Sequence, residues 1–111
     1  MRSEGYSFEI TEKAERDLDD ILRYISVELA NPKAASRFIE DFMKAVDEVC
    51  SFPECGALVD NEYIPVRSVR HMVIGNYVMY YLPDQNKKIC FVLRLIYGRR
   101  DLRGLLGKSG N

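Results

Sequence analysis

Two amphipathic stripes separated by a single Asn-Pro step constrain this chain more than any other feature. Ala14, Leu18, Ile21, Leu22, Ile25 and Leu29 follow spacings of 4, 3, 1, 3 and 4. That pattern puts them on one face of a helix predicted over about Thr11 to Ala30. Thr11 is placed to cap it, and Glu12 and Glu15 bring negative charge to the first turn, where the helix dipole favours it. The other face carries Glu12, Arg16, Asp19, Asp20 and Arg23. Asn31 is then a good N-cap and Pro32 is tolerated at the first helical position, so one helix stops and another starts. Ala35, Phe38, Phe42, Ala45, Val46 and Val49 continue the periodicity up to Ser51-Phe52-Pro53. Helices joined this tightly form an antiparallel hairpin, and their merged apolar faces need a third partner, predicted to be a sheet.

Strand signals surround the hairpin. Tyr6, Phe8 and Ile10 alternate with Ser7 and Glu9, the period-2 mark of a half-buried strand. Pro53 to Pro65 reads as an irregular surface loop. Val66 to Ile74 and Tyr77 to Leu82 then flank Gly75-Asn76, which fits a tight hairpin turn. Pro83 to Lys87 makes the next turn. Lys88 to Tyr97 is apolar on both alternating sets, Ile89, Phe91, Leu93 and Leu95 against Cys90, Val92 and Ile96, which predicts a central strand. Arg94 is the one charge inside it. The predicted fold is α+β: an N-terminal strand, an antiparallel helical hairpin and a three-stranded antiparallel meander, with the helices on one sheet face.

With 111 residues the chain is expected to make one domain, able to fold without metal or disulfide but too small for a cofactor domain beside a catalytic one. No cofactor is expected. The longest apolar run, Tyr77 to Leu82, is far short of the roughly 18 to 20 residues a bilayer span needs, so no membrane association is expected. The N-terminus leads into a strand without an apolar signal core, and Cys50, Cys55 and Cys90 are an odd set without Cys-x-x-Cys spacing. A cytoplasmic chain with reduced thiols is the simplest reading.

The formal net charge of −1 is a cancellation. Residues 1–62 hold 15 acids and 7 bases, a balance of −8, and residues 63–111 hold 9 bases and 2 acids, a balance of +7. An acidic hairpin on a basic sheet points to an oriented interaction with an anionic partner. Segregation of ordinary solvated charges is the plainer account of the same numbers.

Several segments in this order resemble one family. They are residues 14–25 (AERDLDDILRYI), Phe52-Pro53-Glu54-Cys55-Gly56, Val69-Arg70-His71 leading into Tyr77-Val78-Met79-Tyr80-Tyr81, and residues 92–102 (VLRLIYGRRDL). Together they look like the RelE/ParE superfamily of bacterial toxins over about residues 6–103, with 104–111 left as a flexible tail. The resemblance implies the toxin of a type II toxin–antitoxin pair, neutralised by a cognate antitoxin with an acidic segment and assembling with it as a hetero-oligomer. It also implies one of two activities. RelE-like members are ribosome-dependent mRNA endoribonucleases, and ParE-like members inhibit DNA gyrase without RNA chemistry.

RNA cleavage through the 2′-hydroxyl needs a proton acceptor, a proton donor for the leaving oxygen and cations around the phosphate. Arginine supplies only the last. By the resemblance, the arginine that RelE-type ribonucleases carry after the hairpin tyrosine is Val78 here, and the lysines of the preceding strand fall at or near Val69 and His71. The C-terminal aromatic falls in Gly104-Leu105-Leu106, which has none. The helix with Asp17-Leu18-Asp19-Asp20-Ile21 and the Phe-Pro-Glu-Cys-Gly loop look like ParE, so the gyrase inhibitor is the favoured branch and the ribonuclease the alternative. A ribonuclease would draw on His71, Arg70, Arg100 and Tyr97. The surface for antitoxin or target is expected to include Arg67, Arg70, Arg94, Arg99, Arg100 and Arg103, beside a groove between hairpin and sheet.

Each of these residues also has a plain structural use. His71 is a lone histidine in a strand, Tyr97 can finish the core, and Arg94 can pair with a helix carboxylate. Gly107-Lys108-Ser109 imitates the end of a phosphate loop, but Leu102 stands where its first glycine belongs. The cysteines and His71 lack ligand-like spacing for zinc, so no metal is expected.

Overall fold

In the computed structural model, which describes residues 5–59 and 69–98, Thr11 ends the short strand β1 (Ser7–Ile10) and caps helix α1 (Glu12–Arg23). Its hydroxyl accepts from the Ala14 N–H at 3.2 Å, satisfying one of the helix's orphan donors. Asn31 does the same for α2 (Pro32–Ser51), accepting from the Ala34 N–H at 3.1 Å with Pro32 at the first position. Between them the first helix does not run on to Ala30 as its stripe predicts. Tyr24–Glu28 form a π-helical turn, in which the Leu29 N–H donates back five residues to the Tyr24 carbonyl at 2.9 Å. The wider turn breaks the 3.6-residue phase. Ile25 still packs against the core, but Leu29, expected on the buried face, is 54% exposed. Ala30 reverses the chain at φ 49°.

Among the described residues the strands form one five-stranded sheet in the order β1-β5-β4-β3-β2. β3 (Arg70–Ile74), β4 (Tyr77–Asp84) and β5 (Ile89–Tyr97) are the expected antiparallel meander. Gly75 takes φ +60° in the β3–β4 turn, a conformation that suits glycine. β4 runs past Leu82 through Pro83 and Asp84, so the next turn is shorter than its Pro83 start predicts. β5 is interior, flanked by β4 and β1. Two features of the strand pairing go beyond the sequence reading. β1 pairs parallel to β5, which makes the sheet mixed, and a two-residue strand β2 (Ala57–Leu58) inside the expected loop pairs with β3. Val66, the predicted start of the strand observed as β3, and the tail 104–111 lie outside the described residues.

Both helices cover one face. Phe42, Val46 and Val49 of α2 and Ala14 and Ile21 of α1 pack on Met79, Tyr81, Cys90, Val92 and Leu95. The opposite face has a smaller cluster of Tyr80, Ile96, Val59 and Val69. The strict alternation expected for β5 fails at a bulge: Tyr80 stands opposite Arg94 but Tyr81 opposite Val92, so Leu93 is an extra residue. Leu95 thereby joins Cys90 and Val92 on the helical side, while Ile96 falls with Leu93 on the other.

Cys50, Cys55 and Cys90 are not joined in a disulfide. Burial pushes the Cys90 thiol up from 9.0 to about 12 and the Tyr81 phenol up from 10.0 to about 12. Both groups keep their protons longer folded than unfolded, so their contribution is complete below about pH 9 and declines as the unfolded chain ionises first. Urea unfolding should therefore show stability falling above pH 9 for Cys90 and above pH 10 for Tyr81, until about pH 12. Each group adds a slope of up to about 1.4 kcal/mol per pH unit. Tyr81→Phe should flatten the upper part of that profile, and a level profile to pH 11 would contradict this account.

Candidate functional site

Where β1 stops, α1 takes over its work on β5. The last β1 pair is Ile10 with Val92, and the Thr11 N–H then donates to the Val92 carbonyl at 3.0 Å. The Thr11 hydroxyl donates to the Leu93 carbonyl at 3.1 Å. Nearly two turns further on, Asp17 accepts from the Leu95 N–H at 3.0 Å. Asp17 also accepts two guanidinium bonds, from Arg94 Nε at 2.7 Å and Nη2 at 3.1 Å. The lone charge in β5 is thus paired with a helix carboxylate through a two-bond fork, the strong form of such a pair. The carboxylate hydrogen bond holds the Arg94 pKa above its usual value, against the opposing effect of burial.

This pair lines a groove of about 910 Å³ between the hairpin and the sheet, walled by Asp20, Tyr24 and Leu29 on one side and Tyr77, Leu95 and Tyr97 on the other. Phe38, Tyr77 and Tyr97 form a row of edge-on rings, with centroids 5.3 and 5.5 Å apart. Burial raises the Tyr77 pKa, and the phenols of Tyr24 and Tyr97 add to the shift. Tyr97 does not finish the core: it is 38% exposed at the groove mouth. Tyr24 belongs to this site and was missed, because it stands off the apolar stripe. An aromatic four residues after Asp20 on an otherwise charged face was the available signal.

A second cleft, about 940 Å³, lies beside the loop after α2. The Tyr81 hydroxyl donates to the Pro53 carbonyl and accepts from the Gly56 N–H, each at 2.9 Å. Arg70 Nη1 donates to the carbonyls of Glu54 at 3.2 Å and Gly56 at 2.7 Å. The Phe-Pro-Glu-Cys-Gly segment is therefore held in shape by two side chains of the sheet, and Arg70 is engaged in that work.

The ribonuclease set does not converge among the described residues. His71 pairs with Tyr80, whose side chain belongs to the face away from the helices, and the two rings are 6.1 Å apart. Tyr97 pairs with Tyr77, which packs on the helical side. Cross-strand partners share a face, so His71 and Tyr97 are on opposite sides of the sheet. They are also separated by about 10 Å along the strands and about 10 Å across them. Arg94 is in the groove and Arg70 in the second cleft. Arg67, Arg99, Arg100 and Arg103 lie outside the described residues. Among the described residues no three His, Cys, Asp or Glu side chains gather where they could hold a metal, and no helix is long and apolar enough to cross a membrane.

Known proteins share this architecture. A chain of the chromosomal ParDE toxin–antitoxin system from Pseudomonas aeruginosa is 25% identical with a TM-score of 0.66, the match covering 86% of this chain and 98% of that one. The RelBE2 toxin–antitoxin complex from Mycobacterium tuberculosis is 19% identical, TM-score 0.59, over 84% of this chain and 91% of that one. The isolated RelE toxin of Escherichia coli is 19% identical, TM-score 0.53, over 87% and 88%. The last two share the fold. No curated protein matches the chain. The family model for the ParE toxin of the type II toxin–antitoxin system parDE matches residues 8–102, nearly the whole sequence. With strand, helical hairpin and meander in the order that the superfamily resemblance implied, the chain belongs to the ParE toxin family of type II toxin–antitoxin systems.

Proposed function

We propose that this toxin acts in the cytoplasm by binding and inhibiting DNA gyrase, without RNA chemistry, and that a cognate antitoxin neutralises it by docking in the groove between hairpin and sheet. The match to the ParE family over residues 8–102 carries the reading. The separation of His71 from Tyr97 on opposite sheet faces supports it, since a general base and a general acid must reach one phosphate together. An acidic stretch of the antitoxin would meet the arginines of the C-terminal half, whereas the groove takes its apolar part.

The test uses two assays on one preparation. Purified protein should inhibit supercoiling by gyrase at low micromolar concentration or below and leave ribosome-bound mRNA intact. Codon-specific cuts in that RNA, with normal supercoiling, would establish the ribonuclease alternative instead. His71→Ala should leave growth inhibition within about twofold, where removal of a general base from a ribonuclease costs about 100-fold or more.

A further inference from the structure

Asp20 and Tyr24 are four residues apart on one helical face and line the same wall of the groove. Tyr77 and Tyr97 stand on the sheet side, in edge-on contact with each other. Tyr24 is 50% exposed and Tyr97 38%, so ring surface at both remains open to a partner. Leu29, pushed outward by the π-helical turn, extends this surface with Ile25 beside it. The charges differ in availability. Both Asp17 oxygens are taken up by Arg94 and the Leu95 N–H, which also occupies the groove's cation. Among the described residues Asp20 has no ion-pair partner. The charged residues of the hairpin that line the groove are, among those described, Asp17 and Asp20 alone.

An aromatic cluster beside a carboxylate that makes no ion pair suits a cation, through the ring faces and the charge together. From this juxtaposition we propose that the groove takes an apolar peptide segment bearing one arginine or lysine, with the cation among Tyr24, Tyr77 and Tyr97 beside Asp20 and the apolar side chains on Ile25 and Leu29. An acidic segment is repelled there. The inference rests on the groove being the antitoxin's docking surface and is independent of whether the target is gyrase or the ribosome.

The probe is a displayed library of random 12-residue peptides selected on the full-length chain, with Asp20→Asn and Tyr24→Ser variants as counter-screens. Both substitutions are at exposed positions, and circular dichroism should confirm an unchanged fold. Selected peptides should carry an arginine or lysine flanked by apolar residues. Replacing that arginine by citrulline, or Asp20 by Asn, should weaken binding by about three- to tenfold. Peptides that are acidic or uncharged, or that bind both variants as tightly as the parent, overturn the proposal, as does a selection that enriches nothing. Supercoiling is not read in this experiment, so failure of the gyrase reading leaves its outcome unchanged.

Discussion

Gly56→Ala should lower the melting temperature by about 10 °C or more and is expected to be among the most damaging single-methyl additions in the chain. A Cβ at this position meets the Tyr81 hydroxyl oxygen at 2.5 Å, the His71 carbonyl oxygen at 2.6 Å and Tyr81 Cε1 at 2.9 Å. Neither neighbour can yield cheaply. Tyr81 is fully buried in the main core, and the His71 backbone stands opposite Ala57 in the β2–β3 pair. Relief requires the loop to lift, which breaks the Tyr81 and Arg70 hydrogen bonds that hold it. Overpacking together with lost buried hydrogen bonds costs about 3 kcal/mol, which for a domain of this size corresponds to about 10 °C. Gly75→Ala is the control. Its Cβ would meet nothing within 4 Å and only the φ of +60° is strained, so it should cost about 1 kcal/mol. Equal losses from the two substitutions in differential scanning calorimetry would show that close packing at Gly56 is not what matters.

Asp17→Ala should cost about 2 to 3 kcal/mol by urea unfolding. Asp17 is the shared acceptor for the Arg94 guanidinium and the Leu95 N–H, and its removal leaves both short of a partner between α1 and β5. The penalty comes more from the groups left behind than from the pair itself. Arg94 is 33% exposed, which keeps the loss below that of a fully buried pair. Adding Arg94→Met to Asp17→Ala should therefore cost less than the two single changes summed, by about 1 kcal/mol or more. Asp19→Ala, two residues away and exposed, should be within about 0.5 kcal/mol of the parent. Additive effects at positions 17 and 94 would refute the coupling.

These residues also indicate what the sequence made legible. Thr11, Asn31, Pro32 and Gly75 act through contacts or backbone angles within a few residues, and each stands where its chemistry placed it. The helical stripes and the meander were readable for the same reason. The parallel pairing of β1 with β5 was not, because nothing in Ser7–Ile10 specifies a partner some eighty residues away. The bulge at Leu93 and the π-helical turn at Tyr24–Glu28 are each one residue out of phase with a regular pattern, which a periodicity argument smooths over. In the groove, the type of partner for Arg94 was readable as a helix carboxylate, but its identity as Asp17 required the packing of α1 on β5. Tyr24 was not readable because it stands off the apolar stripe of its helix.

The parallel pairing of β1 with β5 also bears on the order in which parts of the fold can form during synthesis. Thr11 and Leu93, hydrogen-bonded to each other, are 82 residues apart in the chain. The helical hairpin and the β3–β4 turn are local and can form as the chain emerges, but β1 and the groove wall made by Leu95 and Tyr97 wait for β5. The growing chain therefore lacks that wall until residues 89–97 have been made and can pair with β1 and β4, whatever else of the fold has formed by then.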